Sequence, residues 1–216
     1  MQYAQERQIV VDLCLELSRR SYFSGTGGNI ALRVDDAHIA VTPSATDYFS
    51  MSASDVCILK LADLSVVEGD RDPSVETSLH ARVLRARKDV RCSIHTHQPI
   101  ASACALLGKE LDVPPEFRRS LGRRIPVAGY APSGSGLLSR LLGRRVRSDV
   151  NAYLMLNHGV LCCGSSPEEA MQTVEDLESL ARAHLQRRIV ARAPLIAPLQ
   201  KALWRVADAL TKRHPE

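Results

Sequence analysis

Apolar residues recur along this chain at two spacings, and the switches between them divide it into short elements. Ile9, Val10, Leu13, Cys14 and Leu17 share one face of a 3.6-residue period and predict an N-terminal helix. It ends near Arg19 and Arg20, where positive charge suits a helix C-terminus. Ser24 to Asn29 is too rich in glycine for a regular element and reads as a turn. Ile30, Leu32 and Val34 then alternate as a strand, Asp35-Asp36 turns, and His38 to Thr42 returns. Val56 to Leu61 and Val66-Val67 predict further strands. Pro73 and Ser74 lead into a helix carrying Val75, Leu79, Val83 and Leu84, with Ser74 as its N-cap.

Past the midpoint the alternation continues. Arg91 to His97 is β-leaning, Ile100 to Leu107 helical, and Ile125-Pro126-Val127 short and extended. A helix opens at Ser133-Gly134-Ser135-Gly136 and runs through Leu142. Tyr153 to Leu156 and Val160 to Cys163 form two strands around Asn157-His158-Gly159. Pro167 starts a helix to about Ile189, with acidic residues in its first turn, and Leu195 to Leu210 forms the last. No linker, repeat or low-complexity tract divides the 216 residues. The expectation is one α/β domain over residues 1–216.

Composition narrows the class. Hydrophobic residues make up 45% and charged residues 24%, which excludes a disordered chain, a collagen and a coiled-coil rod. No apolar stretch approaches the roughly 18 residues of a membrane span, and the N-terminus lacks an apolar signal core. Of six cysteines, Cys14, Cys57, Cys92 and Cys104 sit among apolar neighbours, and Cys162 and Cys163 are adjacent, so no disulfide framework is expected. These features predict a cytoplasmic protein. Net charge is +4, but eight arginines lie between Arg118 and Arg147 without an acidic residue. That run suits an anion site, a solvated surface, or an interface meeting the acids near Glu168 to Glu178. Aromatics do not interleave with it, which argues against nucleic acid.

Candidate chemistry clusters in five places. His95-Thr96-His97 on a strand puts two imidazoles on one face, where they can converge on a metal. Taken alone, the pair also fits two polar residues at the mouth of a buried strand. His158, in a turn relaxed by Gly159, is a third candidate ligand, and three histidines leave a coordination position open. Glu76 lies in the first turn of its helix, as a dipole-favoured charge or an acid/base, and His80 shares its face. Thr26, Gly28 and Asn29, Thr42 and Ser44, and Ser74 can aim backbone N–H groups and short side chains at an anion. Each piece singly is also ordinary turn chemistry.

Thr26-Gly27-Gly28-Asn29-Ile30, Thr42-Pro43-Ser44, Pro73-Ser74-Val75-Glu76-Thr77 with His80, His95-Thr96-His97 and Asn157-His158-Gly159 occur in that order. The set resembles the class II aldolase/adducin family over roughly residues 5 to 190. The resemblance implies a three-layer α/β/α domain with a central sheet, and a homotetramer with active sites between subunits. It implies that His95, His97 and His158 hold a divalent ion, usually Zn2+, with Mn2+, Co2+ or Fe2+ also suited to such ligands. Glu76 becomes the acid/base, and the substrate a small sugar-phosphate-like hydroxy-ketone cleaved by a retro-aldol reaction. Dehydratases and decarboxylases share the scaffold, and an adducin-like module would keep the fold without the chemistry.

Departures from the family pattern bear on the substrate. Ala45 stands where the aldolases commonly have glycine, and Val75 where they often have a second serine. Both positions belong to the phosphate cradle. Arg118, Arg119 or another basic residue of a neighbouring subunit is the expected compensation. The fuculose enzymes donate a tyrosine from a neighbouring subunit, but the matching run Pro114 to Arg119 has none. Glu116 is the candidate replacement, as in the dehydratases.

Overall fold

The computed structural model describes residues 1–23, 25, 27–192 and 198–211. Its elements in chain order are α1 (Ala4–Arg19), β1 (Asn29–Arg33), β2 (His38–Val41), β3 (Cys57–Lys60), β4 (Val66–Glu68), α2 (Thr77–Ala86), β5 (Cys92–Thr96) and α3 (Pro99–Leu106). Then come β6 (Leu111–Asp112), α4 (Arg118–Leu121), β7 (Arg124–Ile125), β8 (Val127–Ala128), α5 (Gly136–Gly143), β9 (Ala152–Met155), β10 (Gly159–Gly164), α6 (Pro167–Arg192) and α7 (Pro198–Thr211). Eight strands form one mixed sheet in the order β4-β3-β2-β1-β5-β10-β9-β8, antiparallel except for the β8–β9 pair. Helices flank it, as expected for the α/β class. The extended run at Ile125 to Val127 falls in two short strands, β7 and β8, while β6 and the one-turn α4 were not legible as elements in the sequence.

Strand alternation sorts the core onto two faces. Ala31, Ile39, Val41, Leu59, Tyr153, Met155 and Leu161 pack with Leu79, Val83 and Leu84 of α2 and Leu138 and Leu142 of α5. Ile30, Leu32, Ala40, Ile58, Ile94 and Cys162 are also buried, one residue out of step along their strands. α1 packs on β1 and β2, and α3 on β9 and β10. Each buried Leu or Ile contributes on the order of 2 kcal/mol. All six cysteines are buried and none forms a disulfide.

The chain divides into two compact units, Met1–Ala181 and Arg182–Glu216. The first holds the whole sheet. The second holds the end of α6 and the amphipathic α7; the expected start of that last helix at Leu195 lies outside the described residues. Among the described residues, no helix is long and apolar enough to cross a membrane.

Three local expectations are corrected. Ser74 does not cap α2: the helix starts at Thr77 with Glu76 at its cap position. The Ser74 carbonyl accepts from the Thr77 N–H at 3.0 Å and from its hydroxyl at 2.6 Å, forming a turn ahead of the helix. Val75, expected on the apolar face, is therefore 66% exposed. In α1, Val11 is buried in place of Ile9, together with Arg7, whose Nε donates to the Gln2 carbonyl at 2.9 Å.

Candidate active site

Sheet register assembles the site. Asn29 of β1 lies directly opposite His95 of β5, and Ala31 opposite Ser93. Asn29, Ala31, Ser93 and His95 therefore share the sheet face that α2 covers. Glu76 heads that helix, and His80 follows one turn later on the same side. Leu161 of β10 lies opposite His95 on the other side, which brings the β9–β10 turn and its His158 beside β5.

The three histidines converge. Their candidate ligand atoms all lie within 4.8 Å of one another. The His95 ring is 4.8 Å, centroid to centroid, from both His97 and His158. His95 Nδ1 stands 2.7 Å from the Val160 carbonyl, which only accepts, so the ring carries its proton there. That leaves a bare Nε2 facing the cluster. The Nε2 atoms of His95, His97 and His158 are all buried without a hydrogen-bond partner. Burial and the neighbouring rings lower the proton affinity of His95, to a pKa of about 3, and also that of His97. Three imidazole rings gathered in one buried cluster, with their ligand atoms within 4.8 Å of one another, fit a bound divalent ion.

Gly159 permits this approach. A Cβ there would lie 2.6 Å from His97 Cδ2, 2.6 Å from the Thr96 carbonyl and 3.0 Å from His95 Cε1. Asn157, before His158, takes a positive φ of 53° to close the turn.

Glu76 is 5% exposed and its carboxylate faces the cluster. Oε1 lies 2.9 Å from His158 Nε2, and Oε2 lies 3.3 Å from His95 Nε2. Asn29 Nδ2 donates to Oε2 at 2.8 Å, and the Ser133 hydroxyl donates to Oε1 at 2.7 Å. Burial works to raise the Glu76 pKa, but His158, His95, Asn29 and Ser133 together hold it below the usual carboxylate range. In the sequence Ser133 marks only a helix start. The N-cap of α5 is instead Ser135, whose hydroxyl accepts from the Leu138 N–H at 3.2 Å. No sequence signal links Ser133 to a glutamate 57 positions earlier.

The expected anion-cradle residues each have local partners, and the Pro43–Pro73 bridge holds the Thr42–Ser44 and Ser74 segments side by side. Thr26 lies outside the described residues. Gly28, at φ 95°, has no room for a side chain beside Phe23, and its carbonyl accepts from the Tyr48 hydroxyl. Thr42 is fully buried with its Oγ1 accepting from the Ile30 N–H at 3.2 Å, so its side chain supports the strand pair. Asn29 is committed to Glu76. Ser44 is half-buried with its N–H on the Asp72 carbonyl at 2.8 Å, and Ser74 is buried with its N–H on the Thr42 carbonyl at 3.0 Å. Ala45 and Val75, the two departures, are both exposed.

Glu116 is exposed on a single 3-10 turn, Pro115–Phe117. It lines a groove with Arg119, Ser120, Asn151, Gly164 and Asp176. Gly164 ends β10 at the side opposite His158, about 17 Å along the strand. Within one protomer, therefore, Glu116 and Arg119 are not part of the histidine cluster. Arg118 donates through Nε to the Val113 carbonyl at 3.0 Å, and Arg124 pairs with Glu110 and Asp112.

The class II aldolase and adducin N-terminal domain model matches residues 8–185. A 5-deoxy-D-ribulose 1-phosphate aldolase from Bacillus thuringiensis serovar kurstaki is 30% identical over 193 residues, covering 89% of this chain and 90% of that one. A methylthioribulose-1-phosphate dehydratase from Serratia proteamaculans is 28% identical, covering 86% of this chain and 97% of that one. The solved structure of an L-fuculose 1-phosphate aldolase superposes with a TM-score of 0.81 at 27% identity, over 93% of this chain and 94% of that one. Fold, histidine cluster and matched length together make this chain a member of the class II aldolase/adducin family.

Proposed function

We propose that this chain is a divalent-metal-dependent lyase that cleaves a carbon–carbon bond of a small hydroxy-ketone, a sugar phosphate, by a retro-aldol reaction. One observation carries the reading: three partnerless buried imidazole nitrogens and one buried carboxylate converge on a single point. His95, His97 and His158 are the proposed metal ligands, with zinc as the ion. When bound, such an ion polarises the carbonyl and hydroxyl oxygens of a substrate. Glu76 moves the proton. In cleavage Glu116 of a neighbouring subunit takes the proton of the hydroxyl β to the carbonyl, and the carbon–carbon bond breaks to an aldehyde and an enediolate. Glu76, protonated from solvent, gives its proton to the enediolate carbon, and exchange with solvent resets both carboxyls. In the reverse direction the Glu76 carboxylate withdraws that proton. Asn29 and Ser133 hold one carboxylate oxygen each, which orients Glu76 for the transfer.

Thr26, Gly28, Asn29, Thr42, Ser44 and Ser74 are the proposed residues of the phosphate end of the site. Glu116 of a neighbouring subunit is the proposed second proton carrier, in a homotetramer with sites between subunits. The chain is proposed to act in the cytoplasm, as one catalytic domain over its whole length. Similarity to methylthioribulose-phosphate dehydratases supports a second reading, elimination of water on the same site.

Proton NMR of zinc-loaded protein with dihydroxyacetone phosphate in D2O tests the first reading. EDTA-sensitive exchange of one hydroxymethyl proton is expected. Full turnover in metal-free protein would overturn it, and water loss from a dehydratase substrate without aldehyde formation would move the assignment to the second.

A further inference from the structure

Behind Glu76 runs a buried line of hydrogen bonds that ends on a histidine outside the metal cluster. Asn29 Oδ1 stands 2.7 Å from His80 Nε2, and His80 Nδ1 stands 2.8 Å from the Ser93 hydroxyl. His80 and Ser93 are fully buried, and Asn29 is 5% exposed.

Polarity along this line follows from one charge. A carboxylate only accepts, so the Asn29 amide must turn its NH2 toward Glu76 and its oxygen toward His80. That oxygen needs a donor, so His80 carries its proton on Nε2, and Nδ1 accepts from Ser93. The other tautomer would present a bare Nε2 and favour the flipped amide. Its oxygen would then face the Glu76 carboxylate at 2.8 Å, acceptor against acceptor. Burial holds the His80 ring neutral, with a pKa of about 4, against the opposing pull of Glu76.

We infer that His80 is a positioning residue: through its Nε2 proton it locks the Asn29 amide in the one orientation that gives Glu76 a buried proton donor. The inference rests on Glu76 being the acid/base. Ser133, the other donor to Glu76, sits on an exposed loop that substrate or water can reach. Asn29 and His80 thus provide the fixed half of the carboxylate's support, and Ser133 the displaceable half.

Long-range 1H–15N spectra of zinc-loaded protein with 15N-labelled histidine test the polarity directly, with His80→Gln identifying the resonances. A neutral ring protonated at Nε2 is expected. A ring protonated at Nδ1, or at both nitrogens, overturns the inference whatever the enzyme catalyses.

Deuterium exchange into dihydroxyacetone phosphate then tests the consequence. His80→Ala should slow exchange about tenfold or more, the scale of losing an outer-shell orienting partner. His80→Gln, whose amide nitrogen can replace Nε2–H, should recover most of it at unchanged zinc content. In an Asn29→Ala background, His80→Ala should cost nothing further, because its route is already cut. Additive losses, or an equal defect in His80→Ala and His80→Gln, would overturn the inference. If the unmodified protein shows no exchange, the aldol reading fails while the tautomer spectrum still decides the hydrogen-bond relay.

Discussion

His95 Nε2 and Glu76 Oε2 face each other at 3.3 Å, and both are acceptors once the Val160 carbonyl has claimed the proton at His95 Nδ1. Two lone pairs at that separation in a buried site repel unless a nearby cation offsets them. Zinc should therefore raise the melting temperature, by the equivalent of about 2.7 kcal/mol at a hundredfold excess over Kd. His97→Ala should lose retained zinc on dialysis and turnover together. Elemental analysis beside a thermal melt checks both, and a variant that kept its zinc would remove His97 from the ligand set.

Glu76→Gln separates acid/base work from metal binding. The amide keeps the volume and one acceptor for Asn29 Nδ2 but cannot take a proton. Proton exchange should fall by about 10² or more while zinc content stays near that of the unmodified protein. Loss of zinc in this variant would instead make the carboxylate a ligand.

Gly159→Ala should damage the metal site from behind. The new methyl would press on His97, on the Thr96 carbonyl and on His95, and the carbonyl belongs to a strand backbone that cannot swing aside. Zinc affinity should drop at least about tenfold, read by competition with a chelating dye. Unchanged affinity would show that the β9–β10 turn shifts without cost.

Ala45 sits at φ 48°, exposed, where a Cβ is strained. Ala45→Gly relieves that strain and gives back part of the gain through greater freedom of the unfolded chain. The net expectation is a stabilisation of about 0.5–1 kcal/mol, or roughly 1–4 °C in melting temperature. A lower melting temperature would refute it.

His80 also predicts a pH dependence. Its folded pKa of about 4 lies below the ordinary value of 6.5, chiefly because of burial. Between those values the unfolded chain binds the proton and the folded chain does not. Stability from this group is therefore complete above about pH 6.5 and declines as pH falls toward 4. Urea unfolding at a series of pH values should show that slope, and His80→Gln should remove its share.

Much of this architecture is written in local pattern. The alternation of Ile30 to Val34 and His38 to Thr42, the period of α1, and Pro167 ahead of α6 each reflect backbone geometry that short segments impose on themselves. The histidine triad was legible because metal chemistry restricts both residue type and spacing, and five motifs in order are hard to assemble otherwise. The start of α2 was not legible: Ser74 has the chemistry of a cap, but its N–H is drawn to the Thr42 carbonyl of another segment. The burial of Arg7 was not legible either, because the Ala53 and Val56 carbonyls that accept from its guanidinium come from a segment more than forty residues away.

The sequence by itself determined most of the element order, the family and the four residues of the proposed reactive cluster, because each depends on residue identity over short spans. Only the tertiary structure decided what surrounds Glu76. Strand register set Asn29 opposite His95, helix placement brought His80 over Ser93, and a loop after β8 delivered Ser133. It also carried Glu116 to the far end of β10 within the protomer. Those relationships join separate elements, from 13 residues apart for His80 and Ser93 to 57 for Ser133 and Glu76, and hydrogen bonds between elements leave no periodicity for a sequence to display.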